Sequence, residues 1–524
     1  MIVRRPDGEN VSKVESTLTS TTLPRASGVL LHITSLPSPY GIGNLGPASR
    51  AFVDWLAEAR QTWWQVLPLG PVGAGNCPYQ SYSSIAGDPR LISPEDLLTD
   101  DLITPAEADA AKPNTADDFS TPRINSLLAA ALHRIQSGAA HHSKIDWSAA
   151  FKSFQNEQRH WLDDFALFMT LKEQAGEPWH AWPAGWARRE PAALIAARAE
   201  FQNSITLHQF AQFIFFRQLE SLRAYAREKN IKLIGDLPIY VSGESADVWS
   251  HPELFQLDKS LRPTAVAGVP PDYFSATGQR WGNPLYNWAE MRRTGFTWWI
   301  ERVRATLRQV DVVRIDHFRG LADYWKIPAH LPTAVGGRWV KAPGRGLLRT
   351  LREQLSPLPL IADDLGEITP EVLKLRDDFN LPGMRILQFA FDAHPGNPFL
   401  PHNYTKNCIA YPGTHDNDTT LGWWHSLDSQ QMKRVHHYAG HTPDKEIPRA
   451  LIRILWQSIA NTTIAPMQDL LSLDTQSRMN RPGITDGNWT WRLRAGDLTT
   501  KLAHHLADLT TATGRANTIS ISPG

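Results

Sequence analysis

The sequence has only two cysteines among 524 residues, Cys77 and Cys408, and they lie far apart in the chain. So few cysteines exclude a disulfide-built scaffold and are typical of a reducing compartment, so we expect a cytoplasmic protein. No apolar run approaches the roughly 18 residues that a membrane-spanning helix needs. The first residues, MIVRRPDGENVSKVES, lack the apolar core of a secretory signal. We therefore expect no membrane association.

The sequence has no excess of positive or negative charge, because Lys plus Arg and Asp plus Glu both number 53. A zero formal charge argues against general nucleic-acid binding. There is no GxGxxG after a predicted strand and no GxxxxGK[ST], which argues against a nucleotide site. No GxSxG, HExxH or CxxC is present, so neither a serine nucleophile nor a zinc site is indicated. We therefore expect no zinc site and no nucleotide cofactor.

Tryptophan and proline are plentiful, at 20 and 38 residues. The tryptophans suit either sugar-stacking surfaces or an aromatic core, and composition alone leaves both open. Apolar runs alternate with helical patterns along most of the chain. Predicted strands cover 28–34, 62–69, 231–240, 310–316, 358–364, 384–391 and 408–413, with predicted helices at 51–60, 208–230, 298–309, 347–354, 370–379 and 448–460. Recurring β-then-α units favour an α/β fold, a (β/α)8 barrel, over an open doubly wound sheet.

The barrel is predicted to span residues 26–513 as a single catalytic unit. The polar ends, residues 1–25 and 514–524, are predicted to be flexible tails. The Ala-rich, charged stretch 94–205, which is interrupted by prolines, predicts a mainly helical insertion. The stretch 241–297 contains GVPPDYFSATGQRWGNP and is predicted to be loop-rich.

Acidic residues end several predicted strands, where the active site of a parallel barrel lies. In VVRIDHFRG, alternation places Arg314 and Asp316 on one face of the strand. An arginine beside the aspartate favours its ionised form and suits a nucleophile, although a structural ion pair is the alternative. In LIADDLG, alternation sends Asp363 and Asp364 to opposite faces, so only one can face a given pocket. Asp236 ends another strand.

The segment YPGTHDNDTT places His415, Asp416 and Asp418 after a further strand. Such a cluster suits a divalent metal, or a carboxylate and an imidazole that bind sugar hydroxyls, or a loop built of Asx turns. Carboxylates at three strand ends are the side chains that glycosyl transfer uses. A retaining mechanism needs an ionised nucleophile and a protonated acid about 5–5.5 Å apart.

These motifs resemble those of the amylomaltases, which are 4-α-glucanotransferases (disproportionating enzymes) of the α-amylase clan. The resemblance covers residues 26–513, and its long motifs include VRIDHFRG, DLGEITPEV, GTHDNDTTLGWW, RMNRPG and GNWTWR. It implies a (β/α)8 barrel with helical and loop insertions, an active-site loop region at 241–297, and no C-terminal β-sandwich domain. It also implies transfer of an α-1,4-glucan segment from a maltooligosaccharide, starch or glycogen-type donor to the 4-hydroxyl of an acceptor, with retention and without a cofactor.

The resemblance also implies roles for particular residues. Asp316 matches the nucleophile and Asp416 the stabiliser of the transition state. The residues that it places around the substrate are Tyr79, Asp236, Trp281, Arg314, His317 and His415. The expected partners are α-1,4-glucans and maltooligosaccharides, and the sequence carries no signal for an oligomeric state.

One position departs from the family pattern. The family has Ala-Glu-Asp-Leu-Gly, with the glutamate as general acid/base, where this chain has Ala362-Asp363-Asp364-Leu365-Gly366. Asp363 therefore stands in the place of the proton donor with a side chain one methylene shorter. Three alternatives to a glucanotransferase remain open at this point: an α-amylase-like hydrolase, a glucan-binding homologue with impaired catalysis, and a metal-dependent barrel hydrolase.

Overall fold

The structure, a computed structural model, describes residues 22–113, 121–138, 145–271, 275–484 and 486–516. Its strands, in chain order, are β1 (Ala26–Leu30), β2 (Trp63–Gln65), β3 (Lys232–Pro238), β4 (Ala265–Val269), β5 (Gln279–Pro284), β6 (Val312–Asp316), β7 (Asp323–Pro328), β8 (Arg338–Lys341), β9 (Leu360–Ala362), β10 (Gly383–Ile386), β11 (Cys408–Tyr411) and β12 (Thr462–Pro466).

Eight of these strands form one parallel sheet in the order β10-β11-β12-β1-β2-β3-β6-β9. The sheet closes on itself because the Ala362 N–H at the end of β9 donates to the Pro382 carbonyl, 2.9 Å away, just before β10. This closure confirms the predicted (β/α)8 barrel. The register of β3 and β6 pairs Asp236 with Arg314 and Pro238 with Asp316, which brings their side chains to one end of the barrel.

Helices connect and surround the strands. They are α1 (Pro47–Glu58), α2 (Pro94–Thr99), α3 (Pro105–Ala110), α4 (Thr121–Gln136), α5 (Trp147–Ala175), α6 (Ala184–Ala187), α7 (Pro191–Glu200), α8 (Gln202–Glu228), α9 (Ala246–Ser250), α10 (Trp288–Arg293), α11 (Thr297–Gln309), α12 (Gly344–Gln354), α13 (Pro370–Asp378), α14 (Thr420–Ser426), α15 (Ser429–Ala439), α16 (Ile447–Gln457), α17 (Met467–Leu470) and α18 (Thr500–Ala512).

The stretch 94–205 contains α2 to α7 and the start of α8. Several of its prolines begin helices rather than break them, since proline lacks the N–H that the first turn leaves unpaired anyway. Pro94 follows the cap Ser93, whose hydroxyl accepts from the Asp96 N–H. Pro105 follows Thr104, which forms a capping box with Glu107.

A second, four-stranded antiparallel sheet has the order β5-β4-β7-β8. The sequence analysis interpreted 241–297 as loop-rich, and this is wrong for β4 and β5. Both strands contain glycine and β5 also contains proline, so no clear alternation marked them. They pair with each other, and β4 also pairs with β7, which lies beyond β6 in the chain. Trp281 therefore lies on a strand, not in a loop. Residues 272–274 of the predicted loop region are outside the described residues.

The burial of the tryptophans shows which of them belong to the aromatic core and which could stack on a sugar. The fully buried ones include Trp63, Trp64, Trp179, Trp249, Trp299, Trp424 and Trp456, which build the core. Trp281 is only half-buried. The aromatic-core interpretation thus holds for these seven side chains, while Trp281 is available to a ligand.

Both ends of the described part of the chain approach the barrel near β1. Leu23 is buried, and Arg25 donates to the carbonyls of Ser458 and Thr513. Arg515 is fully buried and donates to backbone carbonyls around β1 and β12. Residues 1–21 and 517–524 of the predicted tails lie outside the described residues. In the part of the chain that is described, every helix is too short or too polar to cross a bilayer.

Candidate active site

A single guanidinium joins three carboxylates at the carboxyl end of the barrel. Arg314 on β6 is buried, and its Nη1 donates to Asp236 Oδ2 at 2.5 Å. Its Nη2 donates to Asp316 Oδ1 at 3.0 Å and to Asp363 Oδ2 at 2.6 Å. Three strands supply these acids because parallel strands all end at the same face. The predicted pairing of Arg314 with Asp316 on one strand face is confirmed.

The spacing of Asp316 and Asp363 follows from their shared nitrogen. Bonds of 3.0 and 2.6 Å to Arg314 Nη2 keep the two bonded oxygens within about 6 Å of each other. Retaining glycosidases hold their two carboxyl groups about 5–5.5 Å apart, whereas inverting enzymes need about 6.5–9.5 Å to admit a water. The two bonded oxygens therefore lie closer together than the inverting range requires, which is compatible with a retaining site.

Burial sets the electrostatics of Asp316. Removal from water raises the pKa of Asp316 well above its ordinary value, and the Arg314 guanidinium opposes that rise. The carboxylates of Asp236, Asp363 and Asp416 push the pKa of Asp316 further upward, since each disfavours another negative charge nearby. Its side chain remains 28% exposed, so a substrate can reach it from the cleft.

Asp363 follows β9 and is engaged entirely by donors. Besides Arg314, the His317 N–H donates to Asp363 Oδ2 at 3.1 Å, and the Leu365 N–H donates to Oδ1 at 3.3 Å. His317 adopts a left-handed conformation with φ 51°, which is uncommon for a residue with a side chain and turns this N–H toward the carboxylate. The short side chain of Asp363 is thus held back against the strand ends.

A chain of polar contacts links Asp236 to His415. The Tyr79 hydroxyl donates to Asp236 Oδ2 at 2.7 Å and lies 2.8 Å from His415 Nε2. Since the hydroxyl proton is used by Asp236, His415 must donate from Nε2, which fixes its tautomer. The Tyr79 ring also stacks on the His415 ring with centroids 5.4 Å apart.

Asp416 lies beyond β11 in a loop that a distant segment holds. The Asn480 side chain donates to Asp416 Oδ1 at 2.6 Å, and Arg478 donates to the Asp416 carbonyl at 2.5 Å. Neither residue was among the predicted site residues. Their motif, RMNRPG, was recognised in the sequence, but nothing in it pointed to Asp416, since 62 and 64 residues separate the partners.

Trp281 and His317 form the other wall of the site. Their rings meet edge to face with centroids 4.9 Å apart. The ring centroid of Tyr240 lies 6.4 Å from that of Trp281. Burial lowers the pKa of His317 to about 4, so its imidazole is neutral at physiological pH. The wall therefore presents an aromatic face and a neutral ring, which suit the apolar faces of a sugar.

Asp364 and Glu367 are not part of the carboxylate cluster around Arg314. Asp364 accepts from the Met384 N–H at 2.7 Å and pairs with Arg376 and Arg385, so the predicted split between Asp363 and Asp364 is confirmed. The Glu367 side chain is 71% exposed.

Asp418 braces its own loop rather than facing the site. It accepts from the Thr419 N–H and from the Thr475 hydroxyl, which ties this loop to a later segment of the chain. The described residues contain no group of His, Cys, Asp and Glu side chains arranged for a metal ion.

Comparison with known proteins places the chain among enzymes of glucan transfer. The family described as 4-alpha-glucanotransferase matches residues 31–499. The chain belongs to that 4-alpha-glucanotransferase family. A 4-alpha-glucanotransferase of Thermus thermophilus is 46% identical over 501 residues, covering 94% of this chain and 99% of the relative. A chloroplastic/amyloplastic 4-alpha-glucanotransferase of Solanum tuberosum is 40% identical and covers 90% of this chain and 82% of its own length.

Solved structures agree with this membership. An amylomaltase from Streptococcus agalactiae, solved in complex with acarbose, has a TM-score of 0.90 at 40% identity and covers 94% of this chain and 100% of its own. An amylomaltase from Corynebacterium glutamicum has a TM-score of 0.73 at 18% identity, which supports the fold alone. The predicted family, enzyme class and glucanotransferase activity are thereby confirmed.

Proposed function

We propose that this 4-α-glucanotransferase moves segments of α-1,4-linked maltooligosaccharides by a retaining double displacement at the Arg314 cluster. The observation that carries the proposal is the shared nitrogen of Arg314, which keeps the bonded oxygens of Asp316 and Asp363 within about 6 Å, below the range that an inverting enzyme needs. The amylomaltase solved in complex with acarbose supports a carbohydrate ligand for this chain. Starch- or glycogen-type glucans are the larger donors of the same linkage.

In the first displacement, an Asp316 oxygen attacks the anomeric carbon and the glycosidic C–O bond breaks. Asp363 gives its proton to the departing 4-oxygen, which leaves as a shorter glucan. The product is a β-linked glycosyl ester on Asp316. Asp416 stabilises the oxocarbenium-like charge at the transition state, and its negative charge is held in place by an uncharged amide donor, Asn480.

In the second displacement, Asp363 takes the proton from the 4-hydroxyl of an acceptor glucan, whose oxygen attacks the same anomeric carbon. The ester bond to Asp316 breaks, and an α-1,4 linkage forms again. Two inversions give net retention. No bond-making step consumes an external reagent, so the cycle runs without a cofactor.

We propose that transfer prevails over hydrolysis because aromatic walls favour a sugar over water as the acceptor. Tyr79 and Trp281 lie at the cluster from different elements, the loop after β2 and the strand β5. Each offers an apolar face against which a glucose ring can bury surface. An α-amylase-like hydrolysis becomes the main reaction only where water replaces the acceptor at this site.

The hydrogen-bond donors around Asp363 are expected to lower the turnover rate. To act as acid, the Asp363 carboxyl must reach a glycosidic oxygen while Arg314, His317 and Leu365 all draw it toward the strand ends. A glucan-binding protein with impaired turnover is the second candidate function, and these contacts are what favour it. We propose a cytoplasmic location, which the two free cysteines, Cys77 and Cys408, support.

Incubation with maltotriose followed by chromatography of the products tests this function. We expect glucose together with maltodextrins longer than maltotriose. Glucose and maltose without longer products would show a hydrolase. Binding without any product under prolonged incubation would show the impaired homologue, and loss of activity with a chelator would revive a metal-dependent mechanism.

A further inference from the structure

The segment that follows α17 returns over the carboxyl end of the barrel and contacts the Asp416 loop. We name residues 478–481 and 488–489 the C-terminal clamp. The clamp belongs to neither the barrel strands nor the antiparallel sheet, and it reaches Asp416 from about sixty residues further along the chain. None of its residues was among the predicted site residues, and the double displacement described above assigns no proton transfer to it.

Asn480 makes the most direct contact with the acid. Its side-chain amide donates to Asp416 Oδ1 at 2.6 Å, and its backbone N–H donates to the His415 carbonyl at 3.1 Å. One residue therefore holds both the carboxylate of Asp416 and the backbone just before it. The Asp416 side chain is 43% exposed, so the carboxylate is held from one side and still open to the cleft.

Arg478 holds the backbone of both partners. Its Nη2 donates to the Asp416 carbonyl at 2.5 Å, and its Nε donates to the Asn480 carbonyl at 2.7 Å. The guanidinium therefore binds carbonyl oxygens. The Asp416 carboxylate is contacted instead by the Asn480 amide and by His415, whose Nε2 lies 3.4 Å from Asp416 Oδ1. A neutral donor orients the carboxylate without cancelling the charge that an oxocarbenium-like transition state requires.

Trp489 anchors the other end of the clamp. Its N–H donates to the Met479 carbonyl at 2.8 Å, and its buried ring lies 6.0 Å from the rings of both Tyr79 and His415. Trp489 has φ 63°, a left-handed conformation that is costly for a bulky side chain and persists only where the surroundings fix it. Asn488 supplies such support by accepting from the Arg481 N–H at 2.9 Å.

We propose that Asn480, supported by Arg478, is a positioning residue that fixes the Asp416 carboxylate for transition-state stabilisation. The proposal rests on the role given to Asp416 under the proposed function. Asn480 acts through Asp416 and not on the sugar. Its loss therefore lowers kcat more than it changes KM, because the misplaced group acts chiefly in the transition state.

The test compares Asn480→Ala, Asn480→Asp and Asp416→Asn with the wild type, using maltotriose from pH 5 to pH 8. Asn407→Asp is the matched control, since Asn407 directly precedes β11, at the opposite end of the strand that leads to Asp416. Thermal midpoints of all variants are measured at every pH, and rates are compared well below the lowest midpoint, so that unfolding is separated from activity.

We expect Asn480→Ala to lower kcat about 10–10²-fold, the cost of a misplacement of about 1 Å, with KM changed less than about threefold. Asn480→Asp replaces the donor with an acid. Below the upper pKa of the new pair, one shared proton restores a donor to Asp416; above it, two carboxylates repel. The ratio of Asn480→Asp activity to wild-type activity should fall at least about tenfold from pH 5 to pH 8.

Several outcomes would overturn the proposal. Wild-type kcat in Asn480→Ala would do so, as would an Asn480→Asp ratio that does not vary with pH or varies equally in Asn407→Asp. A rise in KM with kcat unchanged would show that Asn480 binds the sugar itself. If Asp416→Asn keeps wild-type kcat, the role of Asp416 in the proposed function fails, and that result is distinct from failure of the clamp alone.

Discussion

Asp363 is one methylene shorter than the glutamate that its motif has elsewhere in the family. The carboxyl is withdrawn by about 1.5 Å, one carbon–carbon bond. A misplacement of about 1 Å can cost roughly 10²-fold, and the whole acid/base contribution is about 10²–10⁴-fold. We therefore expect Asp363→Glu to raise kcat with maltotriose by about 10²-fold, and Asp363→Ala to lose most of the remaining rate.

A donor with a good leaving group supplies the control for this prediction. Its departure needs little protonation, so the gain from Asp363→Glu should be much smaller with an α-maltosyl fluoride than with maltotriose. If Asp363→Glu is neutral or harmful with both donors, the strand end has adapted to aspartate. If Asp363→Ala is neutral as well, another carboxylate is the acid.

Asp316 illustrates how a catalytic group opposes stability. Burial raises the pKa of Asp316, so the folded state binds its proton more tightly than the unfolded chain does. Ionised Asp316 therefore destabilises the fold above its folded-state pKa, and this cost disappears below about pH 4, where both states are protonated. We expect Asp316→Asn to abolish transfer yet raise the thermal midpoint at pH 7.

The midpoint difference between Asp316→Asn and the wild type should shrink as the pH falls toward 4. The wild-type kcat/KM should have its acid limb above the pH at which an ordinary aspartate titrates, because only the ionised carboxylate attacks. A midpoint at pH 7 that is unchanged or lower in Asp316→Asn would contradict this account of the charge at Asp316.

The antiparallel sheet positions Trp281 at the active site, because Trp281 lies on β5. Gly268 on β4 has no room for a side chain, since a Cβ there would lie 2.1 Å from the Gln279 carbonyl oxygen on β5. Gly268→Ala must push β5 away and displace Trp281 with it. We expect this overpacking to cost about 1–3 kcal/mol of stability and a similar amount of transition-state binding.

Gly243→Ala is the matched control, because its Cβ would meet only Pro284 Cδ at an ordinary 3.5 Å. Thermal midpoints and kcat/KM with maltotriose measure both effects. Equal behaviour of the two alanine variants would mean that β5 tolerates the displacement and that the sheet does not position Trp281.

Arg515 joins the end of the described chain to the barrel. This fully buried side chain donates to the carbonyls of Ala26, Trp456, Ser458, Ala460 and Asn461. Arg515→Met leaves these carbonyls without that donor, and an unsatisfied buried acceptor costs about 1–3 kcal/mol.

We expect Arg515→Met to lower the free energy of unfolding by about 3 kcal/mol or more, measured by denaturant titration. Arg494→Met, at an exposed position, should stay near the wild type. If both substitutions have the same small effect, the contacts of Arg515 do not contribute to holding α18 and the chain end against the barrel.

Sequence reasoning reached the barrel because its strands are short apolar runs that end in charged residues, as in VVRID. It also separated Asp363 from Asp364, since the two-residue period of a strand is local information. It missed β4 and β5, whose glycines and proline obscure the alternation and whose sheet is completed by strands beyond β6. It also missed Asn480, whose contact with Asp416 exists only after the chain returns over the barrel. Contacts between distant segments are what local patterns do not encode.

We propose that Asp316 carries the glycosyl group between donor and acceptor. Asp363→Ala incubated with α-maltosyl fluoride tests it, because fluoride leaves without an acid while the second displacement lacks its base. Mass spectrometry of the digested protein should find one maltosyl unit on the peptide that contains Asp316. Fluoride release without an adduct, an adduct on another residue, or no fluoride release at all would contradict the account.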